Sequence, residues 1–169
     1  MKTAITFLLI ILFLCPLDAQ NNGLEIKGWT NINTFKCVNP QFSRSGSVYS
    51  FSGKQLPNIS VAIDDFDCKN KIMTADFQKV LQSGKYPNLT IKFLEFKKSS
   101  NNKFEAIVEV KMMTVARKYE IDFTYYKNNL VGNKRVKFSD FKIVPPRKMG
   151  GMVYVKDELD LVFSLEARD

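Results

Sequence analysis

From Lys118 to Tyr126 the chain alternates without a break. Tyr119, Ile121, Phe123 and Tyr125 fall on one side, and Lys118, Glu120, Asp122 and Thr124 fall on the other. A strand sends successive side chains to opposite faces, so this pattern describes a strand with one face buried. The same period recurs along most of the chain. Leu159, Leu161, Phe163 and Leu165 alternate with Glu158, Asp160 and Ser164; Ile59, Val61 and Ile63 alternate, as do Leu89, Ile91 and Phe93. In the stretch from Phe104 to Val115, the residues Phe104, Ala106, Val108, Val110 and Met112 share one face. Polar turns are predicted at Lys97–Lys103, at Lys127-Asn128-Asn129 and at Gly132-Asn133. Strands joined in this way favour antiparallel pairing.

One stretch departs from period two. Phe77, Val80 and Leu81 stand at helical spacing, with Thr74 as a capping residue and Gly84 as a stop, which predicts a single short helix. Pro87 then opens the next strand. The fold class is therefore all-β, with about eight strands and one helix; about eight strands close into a barrel that is either filled or holds one small ligand. A two-sheet sandwich fits the same periodicity.

The first residues read differently. Lys2 precedes an apolar run from Ala4 to Leu14, followed by Leu17-Asp18-Ala19. A positive start, a short apolar core and a small residue at the exit describe a signal peptide, with cleavage expected after Ala19. The run falls short of the roughly 20 apolar residues of a membrane-spanning helix. The alternative is a lipoprotein with Cys15 lipidated, against which stands the bulky Leu14 beside it. Residues 20–169 then form one domain, and a chain of about 150 residues buries roughly 68–70% of its unfolded surface. The expected location is the periplasm or outside the cell.

Export decides the cysteine chemistry. Cys15 leaves with the signal peptide, and Cys37 and Cys68 remain. In an oxidising compartment they most simply form one disulfide, with two free buried thiols as the alternative. The net charge of +8 survives processing, because Lys2 and Asp18 leave together. A basic balance favours polyanions or an anionic membrane surface, but the lysines are scattered, so solubility is the plainer reading and no nucleic-acid site is expected. Histidine is absent. That removes Ser-His and Cys-His nucleophile pairs and the usual neutral-pH proton shuttle, so no enzyme activity is expected. Two cysteines alone make a poor zinc site, and neither a metal nor a cofactor is expected.

Four segments, in order, resemble the YceI-like family. Ile63 to Phe93 reads I-D-D-F-D-C-K-N-K-I-M-T-A-D-F-Q-K-V-L-Q-S-G-K-Y-P-N-L-T-I-K-F and is similar to the family's central signature. Phe138-Ser139-Asp140-Phe141-Lys142-Ile143 resembles its S-D-F-G-I segment, with Lys142 where the family often has glycine. Val155 to Leu161 resembles its closing strand, and Gly28-Trp29-Thr30-Asn31-Ile32-Asn33 its opening. The hairpin around Met113-Thr114-Val115 lacks the family's glycine. The likeness runs over about residues 24–166, and the two cysteines resemble those of exported Bacteroidetes-type members.

What the resemblance implies is an antiparallel lipocalin-like barrel carrying a long isoprenoid or other lipid, as carrier or storage. It also implies that copies can pair as a homodimer. A ligand of that kind needs a continuous apolar lining. The inward strand faces supply the candidates: Ile91, Phe93, Val108, Val110, Ile121, Phe123, Tyr125 and Phe138. The same side chains also serve as plain core packing. The alternative function is a secreted interaction protein with a filled barrel and no lipid cargo. Arg117, Lys118, Arg135 and Arg147 could meet an anionic head group, provided they gather at one rim; otherwise they are ordinary surface charge. Asp64, Asp65, Asp67 and Asn70 lack the spacing of a calcium loop and read as a solvated turn. Asp157, Glu158 and Asp160 sit too close on one strand to flank a substrate.

Overall fold

The computed structural model describes residues 22–40 and 48–168. The expected signal peptide, residues 1–19, lies outside them. Strands β1 (Gly23–Thr30) and β2 (Thr34–Asn39) form a hairpin, followed by the two-residue β3 (Tyr49–Ser50). Strand β4 (Asn58–Ala62) runs through a 3-10 turn (Ile63–Asp65) into helix α1 (Lys71–Val80). Strands β5 (Asn88–Ser100), β6 (Lys103–Met112), β7 (Val115–Tyr126) and β8 (Asn129–Lys137) form a meander. A second 3-10 turn (Phe138–Phe141), the short β9 (Arg147–Lys148) and a third 3-10 turn (Met149–Gly151) lead to β10 (Val153–Arg168). The sheet order is β2-β1-β10-β8-β7-β6-β5-β4, with every neighbouring pair antiparallel. The short strand β3 adds a parallel pair at the end of β10.

The expected all-β fold with one helix is what the chain adopts: one sheet curled into a half-barrel. Its two end strands, β2 and β4, share no ladder among the described residues. The physical reason is that β4 is short and leaves the sheet at Ile63, where the 3-10 turn ends the alternation. Asp64 and Asp65 therefore lie in a turn, as their spacing predicts. Across the gap, Val38 and Asp67 exchange two backbone hydrogen bonds (2.9 and 3.0 Å), and Asn39 Nδ2 donates to the Ala62 carbonyl. The disulfide between Cys37 and Cys68 stands beside that bridge.

Period two places the core correctly. Leu89, Ile91 and Phe93, Ala106 to Met112 at alternate positions, Ile121 and Phe123, and Leu159 to Leu165 are all buried in one cluster. A bulge between Phe93 and Glu95 shifts the parity of β5. An extra residue in one strand turns the following side chains over. Phe96 is thereby brought to the same side as Phe93, with ring centroids 6.4 Å apart.

Several turns differ from expectation. The loop after Phe96 contracts to Asn101-Asn102, because Lys97, Lys98 and Ser100 pair with Glu105, Phe104 and Lys103. Gly132-Asn133 is no turn but lies inside β8, opposite Phe123 and Val162. A Cβ on Gly132 would come within 2.6 Å of Phe123 Cδ1, so the glycine is there to admit the ring. Helix α1 starts earlier than predicted: Asn70, not Thr74, is the cap, its Oδ1 accepting from the backbone of Ile72 and Met73 (2.9 and 3.1 Å). Thr74 instead accepts from the backbone of Cys68. The helix is stopped by Gln82 in the left-handed region (φ 52°), not by Gly84. No described helix is long and apolar enough to cross a membrane.

Candidate functional site

At the end of the half-barrel where β4 passes into α1, a groove of about 330 Å³ opens between the helix and the start of β10. Its volume lies at the lower end of the roughly 300–1,000 Å³ of small-molecule sites. Three segments build it. Helix α1 contributes Ile72, Met73, Phe77 and Val80, at the helical spacing that puts them on one face. The β1–β2 hairpin contributes Phe35. Its ring lies over Gly28, where a Cβ would come within 2.2 Å of it. Pro146, Val153, Tyr154 and Val155 come from the stretch that follows the second 3-10 turn.

Burial orders these residues from floor to mouth. Phe77 and Phe138 are buried and belong to the core cluster, so the groove opens directly onto the barrel interior. Ile72 and Tyr154 are exposed at the mouth. The groove surface is overwhelmingly apolar; its one charged pair is Lys148 Nζ to Asp76 Oδ1, at 2.8 Å.

The wall carrying Phe138 is fixed by polar contacts. Asp140 Oδ2 accepts from the Lys137 backbone and from the Tyr119 hydroxyl (both 3.1 Å), and Arg117 Nε donates to the Asp140 carbonyl (2.8 Å). Ser139 donates to Asp157 from its backbone and its hydroxyl (2.9 and 2.5 Å). Burial raises the Tyr119 hydroxyl pKa, and the charge and hydrogen bond of Asp140 raise it further. Lys142 ends this turn in the left-handed region (φ 58°), the conformation that favours glycine. The glycine expected from the resemblance thus marks a real backbone requirement, which this chain meets with a lysine.

Of the residues expected to line a ligand, Phe138 is in the groove. Ile91, Phe93, Val108, Val110, Ile121 and Phe123 are buried in the barrel interior, where they pack on one another. Phe93 meets Phe123 (5.6 Å between centroids), and Phe123 meets Phe163 (6.0 Å). Tyr125 lines a second, smaller cavity of about 220 Å³ at the opposite end, with Phe51, Phe96 and Phe104. Most of the groove's lining escapes sequence reasoning, because it comes from the helix and from a stretch without alternation. The available signal is the apolar run Ile143-Val144-Pro145-Pro146, which lies outside the longer strands, resumed at Met152-Val153-Tyr154, where β10 begins.

The four basic residues do not gather at one rim. Arg117 is held by the Asp140 carbonyl, and Lys118 stands opposite Glu109 in the β6–β7 register. Arg135 is bound by Asp160 and stacks 4.9 Å from the Trp29 ring, while Arg147 lies over Tyr154. The acidic residues have structural partners too: Asp67 Oδ1 accepts from the Lys69 backbone, Asp157 holds Ser139 and Asp160 holds Arg135. Among the described residues no cluster of three metal-ligating side chains occurs.

Comparison with known proteins agrees with this architecture. The family description "YceI-like domain" matches residues 22–167. The crystal structure of Burkholderia cenocepacia BcnA superposes with a TM-score of 0.64 at 15% identity, over 85% of this chain and 93% of that one. The YceI protein of Campylobacter jejuni superposes with a TM-score of 0.53 at 18% identity, over 66% of this chain and 71% of that one. No curated protein matches. Identities this low establish a shared fold, and the family match covers nearly all of the described chain.

Proposed function

The chain belongs to the YceI-like family, and from that premise we propose that it is an exported carrier or storage protein for a polyisoprenoid or similar long lipid. The observation that carries this reading is the apolar groove, whose floor, Phe77 and Phe138, is continuous with the barrel core. An apolar tail binds by leaving water, at roughly 25 cal/mol per Å² buried, and no bond is made or broken. The groove takes one end of the ligand. A longer tail continues inward along Ile91, Phe93, Val108, Val110, Ile121 and Phe123 if the rings of Phe93 and Phe123 swing aside. The Cys37–Cys68 disulfide supports an oxidising location, periplasmic or extracellular.

The ring contacts among Phe93, Phe123 and Phe163 favour a second reading, an interaction protein whose barrel is filled by its own side chains. Native mass spectrometry of the purified mature protein, followed by organic extraction, separates the two. The carrier reading expects one long-chain lipid per chain and its loss in Val80→Trp, which fills the groove. A bare protein that also refuses added polyprenol would overturn it. The same spectrum reads whether two copies associate.

A further inference from the structure

We propose that the rim of this groove is a docking surface for an anionic phospholipid bilayer, a step that extends the carrier reading and rests on it for its purpose. Large apolar side chains exposed to water are concentrated around the rim. Ile72 and Tyr154 form the mouth itself. Met149 and Met152 flank Gly150-Gly151, at the tip between β9 and β10, and Met152 is 70% exposed. Ile32 stands in the β1–β2 turn, which is tied to the same tip: Asn31 Nδ2 donates to the Met152 carbonyl and the Tyr154 backbone donates to Asn31 Oδ1 (2.9 and 3.0 Å). Val144, 84% exposed, stands two residues before Pro146, which lines the groove wall.

Charge chooses the occupant. Between Asp140 and Asp157 the chain carries Lys142, Arg147, Lys148 and Lys156 and no acidic residue. The one carboxylate at the groove, Asp76 on the helix, is paired with Lys148. Exposed apolar side chains set among cations that outnumber the one carboxylate suit a surface that is greasy below and negative above, which is the interface of an anionic bilayer. Flexible methionines adapt to such a surface without a fixed counter-shape. The tyrosine at the mouth, with Arg147 over its ring at 5.9 Å, has the amphipathic form found at membrane interfaces. Docked there, the groove would face the layer from which a lipid tail is drawn.

The test is sedimentation of the mature protein with vesicles of phosphatidylcholine alone and with phosphatidylglycerol added, at low and high salt. Binding is expected only to the phosphatidylglycerol vesicles, and it should fall at high salt. Lys142→Glu with Arg147→Glu should weaken it at least about fivefold for each charge removed. Met149→Ser with Met152→Ser should weaken it with an unchanged charge. All four positions are exposed, and circular dichroism checks that each variant folds. Wild-type protein that ignores anionic vesicles, or variants that bind as well as wild type, would overturn the proposal. So would a mass that doubles without lipid and returns to one copy in the methionine variant, since the rim would then be covered by a second copy. Val80→Trp keeps the two readings apart. Vesicle binding by wild type and Val80→Trp alike, with polyprenol refused by both, leaves docking standing and the carrier reading lost. Polyprenol uptake by wild type without vesicle binding does the reverse.

Discussion

Replacing both cysteines, Cys37→Ala with Cys68→Ala, tests how the half-barrel is held shut. The bond joins positions 31 apart in sequence, and chain entropy for a loop of that size gives about 3.7 kcal/mol at 25 °C. Both cysteines are buried, so a dissolved thiol gains little access to the bond in the folded state. The consequence reaches the groove through short tethers. Phe35 is two residues before Cys37, and the helix cap Asn70 is two residues after Cys68. The disulfide therefore ties the hairpin wall of the groove to the start of its helical wall. Urea unfolding followed by circular dichroism reads the loss. With a slope of about 2 kcal/mol per M, the midpoint should fall by roughly 2 M. Amide exchange should quicken first at Val38 and Asp67, whose mutual hydrogen bonds are the other backbone tie across the gap. A loss below about 1 kcal/mol, with unchanged exchange at those two amides, would refute the reasoning. The seam would then be held by its hydrogen bonds and packing without help from the cross-link.

Three further outcomes follow from single side chains. Lys142→Gly should raise stability by up to about 1 kcal/mol in the same unfolding assay, because a left-handed residue with a Cβ is replaced by one without. Gly132→Ala should lower stability by about 1–3 kcal/mol, since its Cβ would press on Phe123 and stand 2.9 Å from the Asp122 carbonyl; adding Phe123→Leu should recover part of the loss. Tyr119 holds its proton more tightly when folded, so the stability from its half-buried hydroxyl is complete below the unfolded value of about pH 10 and is lost as pH rises through the folded pKa. Unfolding titrations should show Tyr119→Phe flattening the fall in stability above about pH 10, and an unchanged fall would assign it to other groups.

Alternation made most of the sheet legible, because a side chain that slips by one position in a half-buried strand moves from core to water. Tyr119 to Tyr125 and Leu159 to Leu165 point where their spacing says. The same rule fails wherever one residue changes the count. The bulge at Leu94 carries no mark in the sequence, yet it decides that Phe96 joins Phe93 inside. Gln82 carries as little mark: its φ is positive, and glutamine does not favour that. At Lys142 and Met113, also at positive φ, only the glycine of the resembled family points to the requirement. Gly132 shows the converse, a glycine that reads as a turn and serves instead as the seat of an aromatic ring.

The candidate site shows where such reading stops in physical terms. Period two reports which face of a strand leaves water, but the same burial results whether that face meets a ligand or another side chain. Ile91, Val108 and Phe123 satisfy that criterion, and they lie in one packed core. The groove is formed instead by elements whose apolar residues do not cancel. Helix α1 presents Met73 and Val80 half-buried, the hairpin presents Phe35, and the segment after Phe141 presents Pro146 and Val155, with space left between them. Space is a property of how separate elements approach, and here that approach is set by Gly28 under Phe35, by the Asn70 cap and by the disulfide across the gap. A change at any of these three should therefore alter what the groove accepts while leaving the alternating strands, and the sheet they build, in register.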